Sequence, residues 1–472
     1  MNHRITLLFM FCITALLPFI VAAAPHADLG SNNAPSLIYS PVGYLAICLF
    51  VVAYVLVILE EKIKLRKSKP VLLAAGLIWV LIAMTYRGSG YSHDVETAIR
   101  HIFLEYAELF FFLLVAMTYI NSMIDRDVFE ALRSWLVRHG FSFRALFWLT
   151  GVLAFCISPF ADNLTTALIM CAVVLAVGKD RPQYVGLCCI NIVVAANAGG
   201  AFSPFGDITT LMIWQKGILE FHQFSKLLIP SVVAFIVPAL FMHRALPAGH
   251  PEQSNNQISH IKKGGLPIVG LFLATIATAV SFHNILGLPP VYGMMLGLAY
   301  LKFYGFFLRQ SIGVHVHNDA AIHTEPIPDN FDIFDHVSRS EWDTLFFFYG
   351  VILCVGGLSF IGYLELVSAL SYGEFGPTVT NVLVGFLSAI VDNIPVMFAV
   401  LTMNPPMNEA QWLLVTLTAG VGGSMLSIGS AAGVALMGQA RGQYTFMTHL
   451  RWTPAIVLGY LGAVYIHLLI NS

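Results

Sequence analysis

The string Ser158-Pro159-Phe160-Ala161-Asp162-Asn163-Leu164-Thr165 returns, altered, as Ser388-Ala389-Ile390-Val391-Asp392-Asn393-Ile394-Pro395. Each copy sets a carboxylate and a carboxamide in the middle of an otherwise apolar stretch. Ionisable side chains are costly at bilayer depth, so in a membrane chain they are functional candidates. Two copies in matching surroundings also point to two related halves. In transporters built that way, substrate sites form where the repeats meet near the bilayer midplane.

The surroundings are those of a membrane protein. Of 472 residues, 57% are hydrophobic and 11% charged, against about a quarter charged in a soluble domain. The apolar residues fall in blocks of roughly 20, the length of a helix that crosses a bilayer. Candidate spans are 39–59, 70–86, 103–124, 184–215, 226–243, 266–284, 291–309, 342–360, 411–440 and 448–469. Two further apolar stretches, 145–177 and 377–403, are each interrupted by an Asp-Asn string. The fold class expected is an all-α polytopic membrane protein. The near-neutral charge and the absence of a basic stripe give no sign of a nucleic-acid partner. The seven cysteines show no zinc or disulfide spacing. Residues 1–24 have the form of a signal peptide, with Arg4, an apolar core and Ala22-Ala23-Ala24; an uncleaved first helix is the alternative, because Pro25 follows the cleavage point.

Lys and Arg set the orientation. The segment Glu60–Lys69 is rich in both, which places it in the cytoplasm and both mature termini outside, in the inner (plasma) membrane. Stretch 145–177 has Arg144 on one flank and Lys179 and Arg181 on the other, so it should enter and leave on the cytoplasmic side as a re-entrant hairpin with its tip at 158–165. Stretch 377–403 has no basic flank and suits a hairpin entering from outside. Asp125–His139 and Gly362–Phe375 read as amphipathic interfacial helices preceding them. Five spans plus one hairpin per half make the second half an inverted copy of the first: repeat one is 39–243, repeat two 266–470, and 244–265 is a cytoplasmic linker. Irregular backbone at membrane depth must be buried in protein or line a wet cavity, so the two tips should be buried and face one another.

A second matched feature is a Gly/Ser cluster within a span. Asn197-Ala198-Gly199-Gly200-Ala201-Phe202-Ser203-Pro204-Phe205-Gly206-Asp207 follows the first hairpin, and Gly422-Gly423-Ser424-Met425-Leu426-Ser427-Ile428-Gly429-Ser430 the second. Such clusters break a helix and free its carbonyls. Two tips and two broken helices carrying Asp, Asn, Ser and Thr form a set of oxygen donors, which hard cations prefer.

At these residues the chain resembles the NhaD-type sodium/proton antiporters, within the ion-transporter superfamily that also holds arsenite permeases and divalent-anion/sodium symporters. The motifs are Ser158–Thr166, Gly199–Thr209 and Asp392-Asn393-Ile394-Pro395, and the likeness covers about residues 39–470. The resemblance implies exchange of cytoplasmic Na⁺ or Li⁺ for external protons with no cofactor, an inverted-repeat fold with two hairpins, and a homodimer with an elevator-like transport domain. In the symporter relatives the tip reads Ser-Asn-Thr. Here Asp162 and Asp392 replace the Ser, and Pro395 replaces the Thr of the second copy.

Asp162 and Asp392 are the expected proton and cation carriers, with Asp207 as a third carrier or a helix cap. Na⁺ or Li⁺ would bind at Asp162, Asn163, Asp392 and Asn393. Thr165, Asn197, Ser203, Ser424 and Ser427 would ligate or orient. Helix capping alone accounts for Asp and Asn at a break, but not for Asp over Asn twice, since a charge at the bilayer centre costs about 2.5–3.5 kcal/mol. A carboxylate in a low-dielectric cavity favours its protonated form, and a bound cation favours the ionised form. Mutual exclusion of Na⁺ and H⁺ follows. Glu105, Glu108, Asp125, Glu341 and Asp343 read as interfacial or capping acids, Glu108 being the deepest. In loop 311–341, His315, His317, His323 and His336 form a candidate pH-sensing surface, because imidazole titrates near pH ~6.5; a plain solvated loop is the other reading.

Two other classes are weighed. A sodium-coupled anion symporter shares the scaffold, but acids at both tips repel a carboxylate and no Arg or Lys lies near either broken helix to pair one; an arsenite permease shares it too, and charge alone does not separate that reading. A membrane aspartyl protease would use Gly206-Asp207 with Pro238-Ala239-Leu240, and leaves the repeated string without a purpose. The chain is therefore read as a transporter and not an enzyme.

Overall fold

The computed structural model describes residues 35–178, 181–250, 260–319 and 332–471, with the side chains at 61–62 and 311–319 outside that description. The leader at 1–24 and His323 therefore lie outside the described residues. All regular structure among them is helical, and ten helices are long and apolar enough to cross a membrane.

The first helices are α1 (Pro41–Ile58), α2 (Ser68–Tyr86) and α3 (Ser92–Asp125). Ser40 caps α1 by accepting from the Gly43 amide, with Pro41 at the first helical position. The helix α3 starts well before the expected 103. Its first turns are polar, and an exposed Glu96–Arg100 pair four residues apart supports them. Hydropathy alone reads only the apolar part of such a helix. The short α4 (Val128–Arg138) lies within the stretch Asp125–His139 expected to be helical.

The first interrupted stretch folds as α5 (Phe143–Ala161) and α6 (Asn163–Val177), which pack against each other and join at Asp162. Asp162 takes φ +48° with ψ 160°, outside the left-handed helical region that Asp and Asn tolerate and close to one essentially confined to glycine, so the tip holds strained backbone. The next span breaks into α7 (Pro182–Gly200) and α8 (Ile208–Gln215), followed by α9 (Leu228–His243). The second half runs through α10 (Gly265–Leu286), α11 (Pro290–Asp319), α12 (Ile333–Ser338), α13 (Trp342–Ile361) and α14 (Tyr363–Ser368). The second interrupted stretch is α15 (Gly376–Ser388) and α16 (Asn393–Met403). Then come α17 (Glu409–Gly422), α18 (Ala431–Gln439), α19 (Phe446–Leu450) and α20 (Thr453–Asn471).

The helices sort into two packed groups. One holds α1, α2, α3, α10, α11 and α13; the other holds α5 to α9, α15 to α18 and α20. They meet where α13 packs on α16. Two short helices also straddle the boundary: α4 touches α3 and α6, and α14 touches α13 and α16.

Matching contacts seat the two strings. Ser158 Oγ donates to the Ala196 carbonyl at 2.6 Å, and Ser388 Oγ to the Ala419 carbonyl at 2.7 Å. Three residues beyond each carbonyl stands a glycine whose Cβ would fall 2.3 Å from backbone, Gly199 against the Phe155 carbonyl and Gly422 against that of Gly385. These glycines let a hairpin arm lie directly on the helix that follows it. We expect Gly199→Ala and Gly422→Ala each to destabilise by about 1–3 kcal/mol through overpacking, whereas Gly76→Ala, which meets nothing within 4 Å, should be neutral. Thermal denaturation in detergent, followed by size-exclusion profile, checks this; equal melting of all three would contradict it.

Candidate functional site

The breaks converge on Asp207. Its Oδ1 caps α8 by accepting from the Thr209 amide at 2.9 Å and the Thr209 hydroxyl at 3.0 Å. Asn393 Nδ2, from the second string, donates to both carboxylate oxygens at 3.1 and 3.2 Å. Asn163 Nδ2, from the first, donates to Oδ2 at 3.3 Å and to Asn197 Oδ1 at 3.0 Å. Asn197 in turn donates to Ser430 Oγ at 3.1 Å. Asp207 is only 4% exposed, so its charge is held by amide and hydroxyl dipoles, as a buried carboxylate requires.

Asp162 and Asp392 flank this network and differ from one another. Asp162 caps α6 through the amide and hydroxyl of Thr165, both at 2.8 Å. Asp392 sits at the start of α16 without making a side-chain cap, and its Oδ1 is buried with no hydrogen-bond partner among the described residues. Capping thus explains part of Asp162 and less of Asp392, on which the adjacent backbone amides of Asn393 and Ile394 act but whose Oδ1 they leave without a bond. An unmade bond on a buried carboxylate oxygen is costly, and a cation is a partner that would remove the cost.

A cavity of about 230 Å³ opens over these groups, lined by Asp162, Asn163, Thr165, Asp207, Asp392 and Asn393. Asn197, Ser203, Ser424 and Ser427 do not line it. Ser203 Oγ donates to the Pro159 carbonyl and so holds the first tip. Ser424 Oγ bonds back to Val421. The Ser424 carbonyl takes a bond from His449 Nε2 at 2.9 Å, while His449 Nδ1 pairs with the Tyr444 hydroxyl at 2.7 Å. That arrangement makes His449 the neutral tautomer that props the second broken helix. In place of Ser424 and Ser427, Ser430 reaches the network, at the position that caps α18.

The neighbourhood in sequence is misleading for cations. Lys67 and Arg339 line the same cavity, although neither is near a broken helix along the chain. They arrive on the segments entering α2 and α13. Exposed Glu341 joins them at the cavity edge and accepts from Thr344. Asp343 accepts from Ser68 and ties α13 to α2. The expectation that no Arg or Lys stands near the site is thus overturned by tertiary packing, and Lys216 directly follows α8 along the chain as well. Of the four histidines, His315 and His317 lie on α11 where side chains are outside the description. His336 is buried in α12, close to Asp125, Arg126 and Arg339. Burial holds its imidazole below the ordinary value, with Asp125 opposing.

Paired helix breaks that gather three buried or half-buried carboxylates inside a bundle of membrane-crossing helices define a polytopic membrane transporter, not an enzyme. The comparisons agree. A family profile described as "Citrate transporter" matches residues 13–420. The chain is 54% identical to the Na⁺/H⁺ antiporter NhaD of Vibrio cholerae, over all of this chain and 99% of that one. It is 53% identical to NhaD of Alkalimonas amylolytica, over 98% and 96% of the two, and 29% identical to sodium/proton antiporter 1 of Arabidopsis thaliana, over 83% and 66%. The chain belongs to the family of NhaD-type sodium/proton antiporters.

The geometry makes Asn393 the principal amide partner of Asp207. Asn393→Ala removes the one amide that reaches both oxygens of that buried carboxylate, a loss of about 1–3 kcal/mol to its ionised form that favours the competing proton, so the half-saturating Na⁺ concentration should rise roughly fivefold to 100-fold. Sodium titrations of proton flux in vesicles, at matched protein level, check this; an unchanged midpoint would deny Asn393 the role.

Proposed function

We propose that this protein exchanges cytoplasmic Na⁺ or Li⁺ for external protons at one shared site formed by Asp162, Asp207 and Asp392, with Asn163, Asn393 and Thr165 as neighbouring ligands. The observation that carries the reading is the convergence of three carboxylates from two hairpin tips and a broken helix on one cavity, one oxygen of Asp392 being unpartnered. A cavity with several acids and little solvent is most stable when their charge is compensated. A bound cation does so, or a proton does, and each lowers the need for the other. The coupling is reciprocal by linkage. Na⁺ here is cargo and not a resident cofactor.

The two halves act as inverted repeats, 39–243 and 266–470. The paired contacts of Ser158 and Ser388, and the paired glycines Gly199 and Gly422, support this. With Glu60–Lys69 cytoplasmic, the cavity that holds Lys67 and Arg339 faces the cytoplasm and both mature termini lie outside, in the bacterial inner membrane. The protein works as a homodimer. An anion carrier on this scaffold is disfavoured, because Lys67 and Arg339 face four acids, Asp162, Asp207, Asp392 and Glu341, in the same cavity.

The deciding experiment is dissipation of a preformed pH gradient by NaCl, LiCl or KCl in everted vesicles from a strain without its own antiporters. Asp162→Asn keeps the cap and nearly the same side-chain shape, so it removes charge while sparing the fold. Sodium- or lithium-dependent dissipation that is lost in Asp162→Asn and in Asp392→Asn is the expected result. Full exchange in either variant would refute the shared site, and uptake of labelled citrate with no cation response would favour the anion carrier.

Competition also fixes a pH dependence. A tenfold rise in proton concentration should raise the half-saturating Na⁺ concentration by up to about tenfold on the acidic limb and leave the maximal rate unaffected. A midpoint that ignores pH would exclude a shared site. His336 adds a second term. Because its folded value is lowered, the neutral form supports the packing of α12 fully above the ordinary pH of about 6.5, and this support is lost as pH falls through the lowered value. The His336→Gln variant should therefore flatten the acidic end of the rate profile at saturating Na⁺ and spare its alkaline end. An unchanged profile would remove His336 from pH sensing.

A further inference from the structure

A second cavity, of about 420 Å³, lies beyond the carboxylates. It shares four helices with the first. On α3 its lining ends at Leu109, one turn before Phe112, where the site cavity begins. On α8 it takes Met212, directly after Leu211 of the site cavity. On α13 and α16 it takes Ile352 and Phe398, each one turn beyond Phe348 and Ile394 of the site cavity. The two spaces are therefore consecutive along one line, and the wall between them is a single layer of apolar side chains. Since α3 and α13 belong to one packed group and α8 and α16 to the other, that wall is part of the seam between the groups.

An ion pair crosses the same seam at the second cavity. Lys216 Nζ, at the C-terminal cap of α8, lies 2.8 Å from Glu105 Oε1 of α3, with the two side chains 29% and 24% exposed. His101 Nδ1 stands 3.6 Å from the same oxygen, and Glu108 lines the cavity one turn further in. The helix α8 has eight residues and carries Asp207 at its other end, so whatever holds Lys216 also holds the carboxylate at the centre of the site. A contact made in only one of two arrangements shifts the population toward it, and partial burial spares this pair some of the screening that weakens exposed ones.

We propose that the second cavity is the opposite-face half of the ion path, shut off from the carboxylates by one apolar layer in this arrangement, and that the Glu105–Lys216 pair is the latch that keeps it shut. Breaking the latch frees α8 from α3 and lets the seam shift so that the layer opens toward the second cavity. Ion exchange then reaches the face that the site cavity does not. This rests on the exchange reading for its meaning, but accessibility can be measured without it.

The test uses full-length protein with its native cysteines replaced and a reporter on the site side of the layer, Leu211→Cys, probed with a membrane-impermeant thiol reagent in right-side-out and everted vesicles. Leu104→Cys, in the second cavity itself, identifies the face on which that cavity opens. From that face, Glu105→Gln or Lys216→Met should speed labelling of Leu211→Cys by about threefold to fivefold, the shift a partly screened pair supports. The charge exchange Glu105→Lys with Lys216→Glu should return it to the starting rate. Labelling unchanged by either latch variant, in protein with normal detergent stability, would overturn the latch. Labelling of Leu104→Cys and of the site residue replacement Thr344→Cys from one and the same face would overturn the two-sided path. Proton flux in parallel vesicles shows separately whether exchange itself stands, so loss of the antiport reading and loss of the latch give different results.

Discussion

The rest of the structure depends on one buried carboxylate and the two amides that hold it. Asp207 belongs to the broken helix of the first half, yet its amide donors Asn163 and Asn393 come from the two different interrupted stretches. An unmatched charge in this setting would cost more than the site could bear. The two breaks must therefore meet, and meeting them brings Asp162 and Asp392 along, one residue before each Asn. The carboxylates are gathered by the geometry of the amides beside them. This explains why Asp and Asn occur as a pair at each break and why an Asn alone would not suffice: the amide assembles the site, and the acid before it supplies charge to it.

Meeting inside a bundle of membrane-crossing helices imposes a second constraint. Every carbonyl and amide freed at a break needs a partner inside the protein. The structure meets this with small residues and a few fixed donors. Gly199 and Gly422 allow backbone to lie on backbone, and Ser158, Ser203 and Ser388 turn their hydroxyls to freed carbonyls. His449 and Thr453 hold the Ser424 and Met425 carbonyls in the second half. The serines that read as ligands in the sequence are mostly spent on this task. A Ser at a membrane break has two possible uses, and only tertiary packing separates them.

Much of the architecture is legible without a structure because the bilayer restricts the choices. Helix positions follow from apolar length, and the breaks follow from Gly and Pro in the wrong place for a span. Asp162, Asp207 and Asp392 stand out because charge is rare in such segments. Long-range partners are not legible. Lys67 and Arg339 reach the cavity from segments that are ordinary basic loops in sequence, and Ser430 resembles the other serines of its string until Asn197 is seen to reach it. The start of α3 was hidden for a different reason, since its polar turns lie beyond the apolar block that signals a span. Hydropathy reads the solvent a residue meets and not the partner it meets.

The two basic residues change how the site should be understood. Four acids in one cavity with nothing opposite would hold cations too firmly to release them, or would stay protonated. Lys67 lies within Coulombic reach of Asp392 and rests on the Phe347 ring at 4.8 Å, a contact that favours a cation without neutralising it. Its long stem lets the charge approach or leave the carboxylates at little cost, and a tethered ammonium opposes an entering cation. A carrier must bind its ion and also let it go, so a base at the edge of an acidic site is consistent with cation transport. What separates it from an anion site is position: the acids hold the buried ends of the helices, and the bases stand on the segments that lead in from the cavity mouth.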